Sequence, residues 1–173
     1  MDFSHFLKTI GSSALRAVVA HWHEARDGSA MPSWEKLNPA RMAPHLSILW
    51  SYRYEPSAGQ FVGRLAGDRI VWGLGKTFRG MPLQELWPQP VAELSHQIML
   101  RTISEPVIYR NAGGLFRQGG RTIEGERIIL PLSSNGIDGD GVLGASVHNH
   151  PLRGSQHGPV ELISEASEWF SLS

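Results

Sequence analysis

Three histidines lie near the end of the last predicted strand, where they could bind a metal ion. His148 and His150 are two residues apart, so an extended chain would place both on one face, and imidazole suits zinc, copper or nickel. Pro151 and Gly154 separate His157 from this pair and indicate a loose loop, with no carboxylate or fourth ligand fixed nearby. The pattern therefore favours an exposed strand end over a metal site.

Two further motifs with known chemistry are incomplete. The segment Gly73–Thr77 is similar to the end of a phosphate-binding loop, but the glycine that the motif requires near its start is replaced by Ile70. The segment Asp138–Gly141 could begin a calcium loop, but Asn149 stands where the bidentate glutamate is needed. No Gly-x-Ser-x-Gly elbow occurs either. Because no catalytic motif is complete, we predict that the chain is not an enzyme.

Composition excludes several classes of function. There is no cysteine among the 173 residues, so thiolate nucleophiles, zinc–thiolate sites and iron–sulfur clusters are impossible. The 16 Lys and Arg residues balance 16 Asp and Glu residues, so the charge predicts neither nucleic acid nor an anionic membrane as partner. No apolar run approaches the roughly 20 residues that cross a bilayer, and the first residues do not resemble a secretory signal. We expect a cytoplasmic protein.

Aromatic residues on the predicted sheet and on the segment above it are the best candidates for a binding site. Trp50 and Tyr52 alternate onto one face of the first strand, and Tyr109 lies on the third strand. Trp72 and Phe78 lie on the segment that follows the second strand. Such residues could line a small-molecule pocket, although filling the core is the commoner role of aromatic side chains.

Two arginines close to these aromatic residues could add charge to a pocket. Arg64 and Arg69 would contact an anionic ligand if their side chains pointed inward. The alternative, which we favour for Arg64, is an ion pair with a carboxylate such as Glu126 that holds a strand against a helix.

The elements that must position these residues are helices at both ends of the chain and in its middle. Apolar residues at three- and four-residue spacing predict a helix from Ser12 to Asp27, after a shorter one over Met1–Ile10. Asn38-Pro39 predicts a single capped turn, and Pro90 begins a helix that reaches about Ser104. Two short helical segments are predicted between Ile70 and Leu86, and a terminal helix over Pro159–Phe170.

Five segments are rich in aromatic and β-branched residues and are bounded by turn residues. They are Ile48–Glu55, Gln60–Ala66, Pro106–Ala112 (followed by a glycine-rich turn), Arg117–Leu132 and Gly141–His148. Because the strands fall into two groups separated by helices, we predict an α+β fold with an antiparallel sheet. We divide the chain into an N-terminal flanking helix region (1–30), a central domain (31–150) and a C-terminal tail with a helix (151–173).

Short motifs from about Ser12 to Val147 follow the order and spacing of one family. They are Trp22 with Arg26, Gly28 and Pro32; Leu37–Pro39 with Met42, where Asn38 replaces the usual Asp; Arg64–Gly67; Gly75 with Phe78–Gly80; Glu126–Leu132; and Gly144. In this order they resemble the PAS domain superfamily and, more narrowly, the short PAS-like proteins common in alphaproteobacteria. The resemblance implies a five-stranded antiparallel sheet with helices across one face, a role in sensing or protein interaction, and frequent dimerisation.

The resemblance leaves the ligand open, because PAS-like domains bind haem, flavin, small metabolites or nothing. His96 lies on the long predicted helix, where haem-binding members carry their proximal histidine. The cofactor is therefore unknown. The candidate ligand-binding residues are Trp50, Tyr52, Arg64, Trp72, Phe78, His96 and Tyr109, with no catalytic or metal-binding residue proposed.

Three hypotheses for function follow. The first is a non-enzymatic sensory or interaction domain that acts as a homodimer and signals to a partner protein. Its dimer surfaces would be the terminal helices that carry Trp22, Trp169 and Phe170. The second is a domain whose purpose is to bind a small metabolite or haem. The third, an enzyme, would require a cluster of titratable groups that the sequence does not display.

Overall fold

One antiparallel sheet organises the part of the chain that the structure describes. The computed structural model describes residues 2–71, 74, 76–153 and 157–172. Within them, seven strands form the sheet in the order β2-β1-β5-β4-β3-β6, and β7 also pairs with β3. The strands are β1 (Leu49–Glu55), β2 (Gln60–Ala66), β3 (Val107–Gln118), β4 (Arg121–Leu132), β5 (Gly141–His148), β6 (Val160–Leu162) and β7 (Ser167–Ser171). The predicted α+β class with an antiparallel sheet is therefore confirmed.

The helices precede the sheet or connect its two halves. They are α1 (Phe3–Thr9), α2 (Ser13–Ala25), α3 (Pro39–Met42), α4 (Asp68–Val71), α5 (Leu83–Leu86) and α6 (Gln89–Ser104), with 3-10 turns at Trp34–Lys36 and Ala43–Ile48. Their ends follow from local chemistry. The Ser12 hydroxyl accepts a hydrogen bond from the Leu15 amide to cap α2, and the Asn38 side chain caps α3 with Pro39 in its first turn.

Helices cover both faces of the sheet, so the prediction of helices across one face is wrong. On one face α1 and α2 bury Phe6, Leu15 and Trp22 against alternate residues of β4 and β5. On the other face α5 and α6 pack over a second apolar cluster that includes Trp50 and Tyr52. The side chains of a strand alternate between the two faces, so each central strand contributes to both clusters.

The C-terminal residues form strands, so the predicted helix over Pro159–Phe170 and the count of five strands are both wrong. β6 and β7 pair along the same edge of β3, with Leu162 opposite Phe116 and Trp169 opposite Tyr109. The spacing of apolar residues in this segment fits a helix. The segment forms strands instead because the unpaired edge of β3 provides backbone hydrogen-bond partners for it.

The predicted turn at Gly113-Gly114 is wrong as well. Both glycines lie inside β3, which continues to Gln118, and an irregularity in the strand register follows Gly114. The chain reverses instead at Gly119-Gly120, where both residues have positive φ (55° and 75°).

Trp22 is buried inside the molecule, so its proposed role in a dimer surface is wrong. Its side chain is fully covered, and its indole Nε1–H donates to the Pro131 carbonyl at 2.9 Å. Trp169 and Phe170 are half-buried and lie on β7, where their rings contact Tyr109 and Phe6 respectively. The division into segments 1–30, 31–150 and 151–173 stays a prediction.

Candidate functional site

A cavity of about 70 Å³ lies between the sheet and the helices α5 and α6. Most of its lining is aromatic or aliphatic, and the polar lining groups are few. The described residues around it are Trp50, Tyr52, Arg69, Ile70, Phe78, Leu83, Trp87, Val91, Ser95, Ile98, Met99, Phe116, Arg127, Ile129, Ser146, His148, Leu152 and Leu162. An apolar cavity with a few placed polar groups has the ordinary composition of a small-molecule site.

The floor of the cavity is formed by side chains that lie on one face of the sheet because side chains alternate along each strand. Residues Arg127 and Ile129 of β4 share one face, and Ser146 of β5 lies directly opposite Arg127 in the register of the two strands. On β1, Trp50 lies opposite Gly144, which has no side chain to obstruct the indole. A Cβ at Gly144 would come within 2.1 Å of the Trp50 Cε2, so only glycine accommodates the ring in this position.

Arg127 is a buried cation to which no described residue offers a carboxylate counter-charge. The residue is only 7% exposed, and its guanidinium lies 4.6 Å from the centroid of the Phe116 ring. Its Nε–H donates to the Ser146 hydroxyl at 3.3 Å. Within the described part of the chain, no carboxylate forms an ion pair with it. Burial lowers the pKa of Arg127 to about 10, which still leaves it protonated near neutral pH.

Ser146 links Arg127 to the aromatic wall. Its hydroxyl oxygen also accepts a hydrogen bond from the indole Nε1–H of Trp50 at 3.0 Å. Across the cavity, the Trp87 indole donates to the Tyr52 hydroxyl at 3.2 Å, and burial raises the pKa of Tyr52 so that it stays neutral. These bonds fix the orientation of three aromatic side chains.

His148 adds a titratable group to the lining. Burial is the main cause that lowers its pKa, and the positive charges of Arg127 and Arg69 lower it further, while a backbone hydrogen bond with His150 opposes them. The imidazole is therefore neutral at pH 7.

Three of the predicted ligand-binding residues line the cavity, and three do not. Trp50, Tyr52 and Phe78 contribute to its wall, with the Tyr52 and Phe78 rings 4.9 Å apart. Tyr109 is buried in the core beside Trp169 and lies outside the lining. Trp72 lies outside the described residues.

His96 and Arg64 also lie away from the cavity lining. The His96 and Phe61 rings lie edge to face with 5.4 Å between their centroids, so the residue proposed as a haem ligand packs against β2 and lies outside the cavity lining. Arg64 stacks over the Trp34 ring at 4.8 Å from its centroid. Of the two arginines considered at the sequence level, only Arg69 lines the cavity.

The predicted ion pair between Arg64 and Glu126 is wrong. Glu126 pairs instead with Arg110 at 2.8 Å, and its carboxylate accepts hydrogen bonds from the Gly11 and Ser12 amides at 3.2 and 2.9 Å. The reason is strand alternation, because Glu126 points to the face that α1 and α2 cover.

The histidine cluster does not converge on one site. His148 lines the cavity described above, whereas His150 and His157 line a separate depression beside Gly119 and Arg121. Among the described residues, no group of three or more histidine, aspartate or glutamate side chains could hold a metal ion. The segment Gly73–Thr77 lies partly outside the described residues.

Sequence reasoning missed Arg127, Ser146 and Trp87 as site residues. A signal for Arg127 was present, because it alternates with Ile129 in a strand whose neighbours are mostly apolar. A charged residue on the inward face of such a strand indicates either a buried ion pair or a ligand contact. Ser146 and Trp87 carry no comparable local signal.

One comparison with known proteins identifies a family. A family model described as a PAS domain matches residues 10–147, well over half of the chain. No curated protein matches the chain significantly. The narrower resemblance to short alphaproteobacterial proteins stays a prediction. In the described part of the chain, every helix is too short or too polar to cross a bilayer.

Proposed function

The chain belongs to the PAS domain family, which is generally non-enzymatic and serves in sensing or protein interaction, and from this premise we propose that it senses a small molecule bound in its cavity. The observation that carries the proposal is the cavity beneath α5 and α6, whose wall is apolar and whose polar groups are fixed by hydrogen bonds. Its volume of about 70 Å³ limits the ligand to a very small molecule and is far too small for a haem or a flavin. The protein then acts without catalysing a reaction.

Occupation of the cavity would change the behaviour of the protein by shifting its population between two packings of the sheet and its helices. A ligand can do so only if it binds one packing more tightly than the other. The cavity floor consists of central strands whose opposite face carries α1 and α2, so a change in the sheet reaches both helix layers. The output would pass to a partner protein in the cytoplasm.

We also propose that the protein is a homodimer, because PAS domains commonly mediate dimerisation. Light scattering of the purified protein over a range of concentrations tests this part separately. A mass that remains that of the 19.1 kDa chain at high concentration would refute it.

A cavity-filling variant tests the proposed ligand site. Ser95 lies on α6 and lines the cavity, so Ser95→Leu would place additional carbon atoms in the space that a ligand needs. Ser104→Leu is the matched control, since it makes the same change at an exposed position of the same helix. Melting temperatures would be measured with a library of small aromatic and aliphatic compounds.

The proposal predicts that some compounds raise the melting temperature of the wild type and of Ser104→Leu but not of Ser95→Leu. Compounds that stabilise all three proteins equally bind elsewhere. If no compound distinguishes Ser95→Leu from the control, the cavity is not the binding site and the proposal fails.

A further inference from the structure

We propose that the ligand of this cavity is a small molecule with an apolar body and one carboxylate, and that the carboxylate binds to Arg127 and Ser146. This inference rests on the proposed function, because it names the class of molecule that the same cavity takes. Its starting point is the isolated charge of Arg127 at the floor of an otherwise apolar space.

A buried cation needs a counter-charge, and none of the residues that the structure describes supplies one to Arg127. Removing a charged group from water is costly, so buried charges in proteins are nearly always paired. Arg110, whose side chain is 13% exposed, follows this rule and pairs with Glu126 and Glu168. The half-buried Arg64 of β2 lies over the Trp34 ring and has no ion pair among the described residues. Arg127 has only the Phe116 ring and the Ser146 hydroxyl among the described residues, and neither carries charge.

The Ser146 hydroxyl provides a second hydrogen-bond donor beside the guanidinium of Arg127. The Ser146 oxygen accepts from both Trp50 Nε1 and Arg127 Nε, which occupies its two lone pairs. Its own O–H is therefore free to donate, and no acceptor for it occurs among the described residues. With Nε engaged by Ser146, the two terminal nitrogens of Arg127 remain to bind an anion. A planar guanidinium matches the two oxygens of a carboxylate.

The remaining lining favours an anion as well. None of the described lining residues is an aspartate or a glutamate. Arg69 adds a positive charge at the wall, and His148 beside it is neutral at pH 7 because burial and the two arginines lower its pKa. The sum of these groups is positive, so a cationic ligand would be repelled and a neutral one would leave Arg127 unpaired.

The rest of the cavity selects the body of the ligand. Phe78, Trp87, Ile98 and Met99 contribute apolar side chains and aromatic rings to the lining. A cavity of about 70 Å³ is smaller than the roughly 150 Å³ that holds a benzene ring, so a single ring is the largest body it can take, and only if flexible wall side chains such as Met99 give way. Benzoate probes the site at this upper size.

Three molecules of the same shape and different charge test the inference on the full chain. Benzoate is anionic, benzamide is neutral and benzamidine is cationic. Calorimetric titration of each into the wild-type protein is expected to give the affinity order benzoate, benzamide, benzamidine. Arg127→Met should weaken benzoate binding at least about tenfold, since one charge-assisted contact is worth about that factor. Benzamide binding should weaken less, because its carbonyl oxygen accepts a hydrogen bond from the guanidinium but carries no charge. Arg121→Met, at an exposed position of the same strand, is the control.

The outcomes separate this inference from the proposed function. Equal affinities for benzoate and benzamide, a preference for benzamidine, or benzoate binding that survives in Arg127→Met would overturn the carboxylate inference and leave a ligand-binding cavity standing. If none of the three binds, the inference is also refuted, and the Ser95→Leu comparison then decides on the cavity alone. If Arg127→Met does not fold, two other measurements test the inference. The wild type should bind benzoate, benzamide and benzamidine in that order of affinity, and Ser146→Ala should bind benzoate more weakly than the wild type.

Discussion

Glu126 and Arg127 are consecutive residues of β4 whose side chains form hydrogen bonds on opposite faces of the sheet. Glu126 accepts hydrogen bonds from the Gly11 and Ser12 amides where α1 meets α2, and Arg127 lies at the floor of the cavity. If a ligand moved Arg127, the backbone of β4 would shift at Glu126 as well, because the two residues are adjacent in the strand. This pair provides a short physical connection between the cavity and the N-terminal helices.

Loss of the Glu126 charge should loosen the N-terminal helices. The carboxylate is buried and holds Arg110 as well as two backbone amides, so Glu126→Gln is expected to lower the free energy of unfolding by about 2 kcal/mol. Amide hydrogen exchange should accelerate in Phe3–Ala25. Urea unfolding and exchange mass spectrometry measure both effects. Glu124→Gln, at an exposed position of the same strand, serves as the control. An unchanged exchange rate in Phe3–Ala25 would show that Glu126 does not fasten these helices.

Removal of the isolated charge should stabilise the protein in the absence of ligand. Arg127→Met keeps much of the side-chain volume and removes the cost of burying a cation, so we expect the free energy of unfolding to rise by about 1 kcal/mol. The Ser146 hydroxyl retains its bond to Trp50 in this variant. Urea unfolding beside Arg121→Met gives the comparison. A loss of stability of several kcal/mol would assign Arg127 a structural role instead.

Gly144 should be intolerant of even a methyl group. Its Cβ would come within 2.1 Å of the Trp50 ring, so Gly144→Ala must displace the indole from its bond to Ser146. We expect a loss of about 2 kcal/mol in the free energy of unfolding, as for other overpacked sites. Gly11→Ala is the matched control, because its Cβ would meet no atom closer than 3.5 Å, the Glu126 Oε2. Equal stability of the two variants would show that Trp50 relaxes without cost.

His21 should contribute to a loss of stability in acid. Its Nε2 accepts a hydrogen bond from the Asn38 amide at 2.8 Å, which requires the neutral ring. Burial is the main cause that lowers its pKa; Arg41 lowers it further, while Glu24 opposes. The unfolded chain therefore binds more protons than the folded one between the lowered pKa and the ordinary value near 6.5. Stability should be complete above about pH 6.5 and fall as the pH drops through that window.

The contribution of His21 is measured by difference. His23 and His148 also have lowered pKa values, so the wild type retains some acid sensitivity from each of them. His21→Gln keeps an acceptor for the Asn38 amide but cannot be protonated, and its unfolding free energy should change less between pH 7.5 and pH 5 than that of the wild type. An identical change in both proteins would mean that His21 keeps its neutral form on acidification.

The elements predicted correctly are those whose signals are local. The start of the helix near Ser12, the capped turn at Asn38-Pro39 and the proline that opens α6 depend on residues within a few positions of their own. The turn before Gln60 likewise joins two strands that pair directly. Short-range chemistry of this kind is visible in any sequence.

The predictions that are wrong concern residues whose structure depends on contacts with distant parts of the chain. The segment that contains Trp169 has helical spacing but becomes a strand because β3 offers it an unpaired edge. The apolar face of α2 was predicted correctly, yet the sheet covers it rather than a second copy of the chain. For the site, the aromatic residues Trp50 and Tyr52 were identified from strand alternation. Arg127 was not, because its lack of a carboxylate partner depends on the whole fold.

Methionine methyl signals give the most direct test of a ligand-binding cavity. Met99 lines the cavity and Met31 is buried elsewhere, and both are 1% exposed. In protein labelled with carbon-13 at the methionine methyl groups, with Met99→Leu to assign the signal, addition of benzoate should shift the Met99 resonance and leave that of Met31 in place. An unmoved Met99 signal at benzoate concentrations that raise the melting temperature would contradict the account, because the molecule would then bind outside the cavity.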